Sequence, residues 1–109
     1  LGRFENAWHM RHDIIGTSER PPSEYLDRFS VDSVVLDERA LRLLVDTMGA
    51  DRVIMGSDYP YPIGERPAGR VVRDATFLSD ADRALILGGN AQAFLGIAAD
   101  RKHAQEAAP

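Results

Sequence analysis

The sequence predicts an α/β fold, and three observations carry that prediction. Two short runs rich in β-branched and apolar residues, Phe29 to Val35 and Arg52 to Gly56, read as strands. Between them Leu41, Leu44, Val45 and Met48 recur at i, i+3, i+4, i+7, the stripe of an amphipathic helix. Strand, helix and strand within about thirty residues make a βαβ unit, whose strands run parallel.

Taken in order, the opening segment from Phe4 to Arg11 carries Phe4, Ala7, Trp8 and Met10 at loosely helical spacing. Gly16-Thr17-Ser18 breaks that pattern. Pro21-Pro22 comes next and favours the first turn of a short helix over Ser23 to Arg28, carrying Tyr25 and Leu26. After the first strand, Asp37 is a good N-cap, with Glu38 in the first turn where the helix dipole favours an acid. Gly49 ends this helix as a glycine just past the last turn. The second strand reads as fully buried, a short apolar run of the kind found in parallel sheets covered on both faces. The loop from Ser57 to Pro67 is long and rich in Pro and Gly, and such loops often carry function. Three further helices close the chain: one around Gly69 to Phe77, one capped by Ser79 with Asp82 at N3, and a short one capped by Asn90. Ala84, Leu85, Leu87, Phe94 and Leu95 are expected to supply their buried faces. Residues 98–109 lack an apolar stripe and are expected to form a disordered tail.

Of the 109 residues 44% are hydrophobic, enough for one modest core and too little for two independent domains. Lys and Arg number 13 against 17 Asp and Glu, a net charge of −4, which excludes the basic footprint of a nucleic-acid binder. With no cysteine there is no disulfide framework, thiolate metal site or Cys nucleophile, which fits a reducing, cytoplasmic setting. No apolar stretch approaches the ~18 residues a membrane span needs. The chain opens Leu1-Gly2-Arg3-Phe4, without an initiator Met or a signal-like segment. Two parallel strands with helices bury too little to stand alone. Both points lead us to expect a portion of a longer polypeptide.

The stretch with the clearest chemical content is Gly56-Ser57-Asp58-Tyr59-Pro60-Tyr61-Pro62. Asp58 sits just past the C-terminal end of a predicted strand, where βα architectures place catalytic groups. A carboxylate there can bind a divalent metal or accept a proton from an activated water; it can equally cap the turn. Gly56 and Ser57 are small enough to let the backbone approach a ligand, and Pro60 and Pro62 stiffen the loop. Tyr59, Tyr61 and Trp8 are candidates to line a pocket for a planar acid, or plain core. The acidic pair Asp80 and Asp82 has the ordinary explanation that acids favour helix N-termini. His9, His12 and His103 are the only histidines. His9 and His12, at i, i+3, share a helix face, but the third ligand a metal needs is not nearby in sequence.

The run from Asp51 to Glu65, with its Gly-Ser-Asp-Tyr-Pro-x-Pro-x-Gly-Glu string, resembles the last barrel strand of the amidohydrolase superfamily. More narrowly, it is similar to the amidohydrolase-2 branch that includes the aminocarboxymuconate semialdehyde decarboxylases. The likeness extends through Pro22 to Leu26, Phe29 to Val35, Leu41 to Gly49 and Gly88 to Gly96, and so over residues 1–97. It implies the C-terminal portion of a TIM (β/α)8 barrel holding a divalent metal, usually Zn2+. In that family the ligands are a His-x-His pair, a later His and the Asp after the last strand, which Asp58 matches. The resemblance further implies a zinc-dependent carboxy-lyase (decarboxylase) that uses a metal-activated water on a small unsaturated carboxylic acid, as a homodimer. Arg3 matches, over a short stretch, an arginine that reaches the substrate carboxylate of a neighbouring subunit; its fork suits that task. No His-x-His occurs here, so the remaining machinery is expected upstream of Leu1 and the segment alone to be inactive. Leu36 departs from the family, where His commonly precedes the capping Asp. Two alternatives stand beside this reading: a hydrolase of the same superfamily using the same Asp, and a truncated, non-catalytic chain.

Overall fold

A computed structural model describes residues 1–11, 13 and 16–97 of the chain. The predicted tail, His12 and His103 lie outside the described residues. Packing divides the chain at Ser30 into two compact units, and each is built from its own contacts.

The first unit, Leu1–Ser30, opens with α1 (Gly2–Met10), as the spacing of Phe4, Ala7 and Trp8 predicts, and ends in a 3₁₀ turn over Pro22–Arg28. The second helix is therefore tighter than an α-helix, consistent with the fixed φ that Pro22 imposes on its first position. Glu5 ties the two together: its carboxylate accepts from the Ser23 amide and hydroxyl, each at 3.0 Å. None of the residues in α1 or in the 3₁₀ turn is fully buried.

The second unit begins at Val31 and contains the βαβ motif. Strand β1 (Val31–Asp32) pairs in parallel with β2 (Val53–Ile54), Val31 opposite Val53 and Asp32 opposite Ile54. Both strands are shorter than the apolar runs predict. Past Asp32 the chain stays alongside its neighbour through the Ser33 amide, which donates to the Ile54 carbonyl at 3.0 Å, and then turns back on itself. The connecting helix α2 (Glu38–Met48) has the predicted cap: one Asp37 carboxylate oxygen accepts the Arg39 and Ala40 amides at 2.8 and 3.2 Å. Gly49 ends it with φ 89°, although its extended ψ of 145° differs from a left-handed helical cap. A 3₁₀ turn (Ala50–Arg52) leads directly into β2.

Leu41, Val53, Val71, Val72, Ala75, Leu78 and Ile86 form the core, with Leu44, Val45 and Met48 packed against it, so the predicted stripe of α2 does face inward. Each fully buried aliphatic side chain in such a cluster stabilises the fold by about 1.5–3 kcal/mol. The two central valines sit on α3 (Arg70–Asp74), which is shorter than predicted. Its exposed carbonyl end is closed by Arg83, whose guanidinium donates to the carbonyls of Val72 and Arg73, both at 2.7 Å, and to Ala75 and Leu78 at 3.0 and 3.2 Å.

The last two predicted helices are one. From α4 (Asp80–Ala84) the chain passes through a wider turn, Leu85–Gly89, into α5 (Asn90–Leu95) with right-handed helical angles at every junction. Ser79 caps the start as expected, accepting the Asp82 amide at 3.1 Å. Asn90 is not an N-cap. It lies inside the helix, buried, with its side-chain amide donating to the carbonyls of Ala50 and Val53 at 2.7 and 2.8 Å. The Asn90 backbone amide reaches back to the Leu85 carbonyl, five residues away, so the turn holds one extra residue and rotates the remainder of the helix by about 100°. The buried face also differs from the predicted one. Ile86 is fully buried and Leu87 packs on the core, whereas Ala84, Leu85, Phe94 and Leu95 are exposed.

Candidate active site

Three backbone and side-chain contacts fix the C-terminal end of β2. Met55 donates its amide to the Ile86 carbonyl in the wide turn at 3.0 Å, and Asn90 holds the Val53 carbonyl from the same helix. On the other side the Gly56 amide donates to the hydroxyl of Ser33, itself buried, at 3.3 Å. Gly56 is necessary there, because a Cβ would fall 2.8 Å from the Val34 side chain. The strand is thereby held from both edges just before the residues that carry chemistry.

Asp58 lies two residues beyond Gly56 with φ 58°, in the left-handed region that Asp tolerates better than most residues. Its carboxylate is exposed and makes no hydrogen bond or ion pair among the described residues, so the turn-capping reading of its side chain has no support. The loop beyond it is closed. Tyr61 donates its amide to the Asp58 carbonyl at 2.8 Å, Gly64 to the Tyr61 carbonyl at 3.0 Å, and Glu65 to the Ser57 carbonyl at 2.8 Å. Gly64 can approach because it lacks a Cβ, which would lie 2.5 Å from the Ser57 carbonyl oxygen. Beside this loop an open pocket of about 350 Å³ is lined by Ser57, Tyr59, Tyr61, Gly64, Glu65, Arg66 and Ala68. Tyr59 and Tyr61 thus line a pocket as the first alternative had it; at 85% and 67% exposure neither is core. Trp8 belongs to the first unit, where its indole donates to the Ser18 carbonyl at 3.4 Å.

The other candidate residues belong to other elements of the chain. Arg3 is an exposed residue of α1. His9 is also exposed, edge-on to Trp8 with ring centroids 5.1 Å apart and 3.8 Å from Glu5. Asp80 and Asp82 stand in the first turn of α4, and Asp82 bonds the Ser79 hydroxyl at 2.7 Å, the ordinary role of acids there. Leu36 is exposed with φ 58°, immediately before the Asp37 cap. Among the described residues no three His, Cys, Asp or Glu side chains gather where they could hold a metal ion. Two residues of this region were not legible from pattern. Neither Ser33, one polar residue within the Phe29 to Val35 run, nor Glu65, on a polar loop, carries a local signal of burial, yet they are only 1% and 4% exposed.

Asp58 thus stands as an exposed carboxylate just past a strand of a parallel βαβ unit, the end of the strand at which βα folds carry their sites. The chain belongs to the amidohydrolase family, whose profile matches residues 1–97. It is 40% identical over 98 residues to a 2-amino-3-carboxymuconate-6-semialdehyde decarboxylase of Dictyostelium discoideum, covering 89% of this chain and 27% of that protein. It is 37% identical over 97 residues to the enzyme of the same name from Caenorhabditis elegans, covering 88% of this chain and 24% of that protein. The crystal structure of 5-carboxyvanillate decarboxylase from Sphingomonas paucimobilis superposes with a TM-score of 0.75 at 26% identity, over 90% of this chain and 30% of that one. That of Metarhizium anisopliae IDCase superposes with 0.69 at 26% identity, over 88% and 30%. The chain therefore spans about a quarter of the length of the curated relatives it matches.

Proposed function

We propose that this segment is the C-terminal portion, residues 1–97, of a barrel carboxy-lyase that removes carbon dioxide from a small unsaturated carboxylic acid. Asp58 is the residue it contributes to a divalent-metal centre. The single observation that carries this reading is the placement of Asp58: an exposed, unpartnered carboxylate at the mouth of a strand whose backbone is fixed on both edges. Its relatives by sequence and by structure bear the names of decarboxylases, which favours carbon dioxide loss over hydrolysis.

The donor set fits a divalent cation in part. One hard carboxylate oxygen suits Zn2+ or its neighbours, and the remaining ligands must come from outside the described residues. A bound cation would supply Lewis acidity and draw the pKa of a water toward ~7. The chain's own contribution is geometric. The loop from Ser57 to Glu65 sets the direction of the Asp58 carboxylate, and Tyr59 and Tyr61, in the pocket lined by the same loop, offer flat apolar surface for a conjugated acid. Arg3, exposed and without an ion pair among the described residues, is assigned to the substrate carboxylate of a neighbouring subunit in a homodimer.

The test uses the intact polypeptide carrying these residues. Metal content by mass spectrometry and carbon dioxide release from 2-amino-3-carboxymuconate 6-semialdehyde are measured for the wild type and Asp58→Ala. The variant is expected to lose both bound metal and turnover, by roughly 10²-fold or more in kcat. Full metal occupancy and unchanged turnover in the variant would remove Asp58 from the centre.

A further inference from the structure

Carboxylates are seldom buried unless both oxygens are paired, because desolvating the charge is costly. Glu65 departs from that rule. One oxygen, Oε1, accepts the Val71 amide in the first turn of α3 at 2.7 Å. The other, Oε2, is buried and has no partner among the described residues. An apolar residue would fill this space at lower cost, so burial alone does not account for a long side chain ending in an acceptor oxygen here. Its surroundings suggest what does. The Glu65 amide closes the base of the Asp58 loop by donating to the Ser57 carbonyl at 2.8 Å. Its side chain joins that base to α3, and α3 is anchored in the core by Val71 and Val72. A continuous path of contacts therefore runs from the core through α3 and Glu65 to Ser57, the residue next to Asp58.

We propose that Glu65 is a positioning residue for Asp58: it latches the Ser57–Glu65 loop to α3 and so fixes where the Asp58 carboxylate points. The assignment rests on the reading of Asp58 given above, but the latch itself can be tested separately. Loss of the oxygen that Val71 donates to frees the end of the loop, while the core remains packed. Shortening the side chain has the same consequence, since an aspartate carboxylate is one methylene too far back. A glutamine keeps the oxygen and the length.

The experiment compares Glu65→Ala, Glu65→Asp and Glu65→Gln in the intact polypeptide, by amide hydrogen exchange and by steady-state kinetics on the decarboxylation assay. The Tyr61, Gly64 and Glu65 amides, whose acceptors are within the loop, are expected to exchange about tenfold faster or more in the Ala and Asp variants, with α2 amides unchanged. In the same variants kcat falls about tenfold or more with KM within about twofold, because misplacement acts on the reacting geometry. Glu65→Gln restores both readouts to within about threefold of wild type. Loop exchange at wild-type rates in Ala and Asp overturns the latch. So does a Gln variant as damaged as Ala. A loosened loop with unchanged kcat, beside an inactive Asp58→Ala control, overturns the positioning role. Should the Asp58→Ala control keep its activity, the functional reading has failed, and the exchange data still decide the latch. If the Ala variant does not fold, the Asp and Gln pair carries the comparison.

Discussion

Replacing Asn90 by alanine tests how strand β2 is held in place. The Asn90 side-chain amide is nearly buried and spends both N–H groups on carbonyls 40 and 37 residues away, those of Ala50 and Val53. Alanine removes both bonds. At about 1 kcal/mol net for each bond, the direct loss is ~2 kcal/mol. The Ala50 carbonyl keeps the Val53 amide as a donor. The Val53 carbonyl belongs to a fully buried residue, and the loss of its side-chain donor adds about 1 kcal/mol or more. The expected total is ~3 kcal/mol, a large share of the stability of a small fold. Urea titration of the intact polypeptide measures it as a lower midpoint at unchanged slope. Asn90→Asp should cost at least as much, since a carboxylate offers no donor to either carbonyl. A change below about 1 kcal/mol in both variants would refute the reasoning and would mean that the wide turn, through the Ile86 carbonyl and Met55, holds the strand without Asn90.

Two further outcomes are expected. Leu36→Asn should stabilise the protein by about 0.5–1 kcal/mol, because Leu at φ 58° is strained and Asn accepts that region more readily; a lower denaturation midpoint would count against strain there. The second concerns acid. The Ala40 and Arg39 amides hold the Asp37 carboxyl below its ordinary value, and hydrogen bonds from the Thr76 hydroxyl and amide do the same for Glu38. Both groups are therefore more acidic folded than unfolded, so their contribution is complete above the unfolded value near ~4 and is lost as pH falls through the folded one. Midpoints measured between about pH 6 and pH 3 should fall for the wild type and fall less for Asp37→Asn and Glu38→Gln. Parallel curves for all three would disprove the linkage.

Much of the architecture could be read from local pattern, because the forces that set it are local. The 3.6-residue recurrence of Leu41, Leu44, Val45 and Met48, the Asp37 and Ser79 caps and the glycine stop at Gly49 each act within a turn or two of the chain. Asp58 was legible for a similar reason: a short apolar strand followed by Gly-Ser-Asp fixes its position at a strand end, whatever surrounds it. What local pattern missed depends on contacts between residues far apart in sequence. Asn90 has the residue type of a helix cap, and only the approach of Ala50 and Val53 makes it a buried cross-link. The wide turn at Leu85–Gly89 adds one residue, which no periodicity anticipates, and packing against the core selects Ile86 over Leu85. Glu65, on a polar loop, becomes a buried carboxylate because the loop folds back onto α3 and places Val71 against it. Caps, stripes and turn residues are energies of neighbouring positions, so the chain alone carries them. Burial and hydrogen-bond partnership of a polar side chain are energies of encounter, decided when distant segments meet.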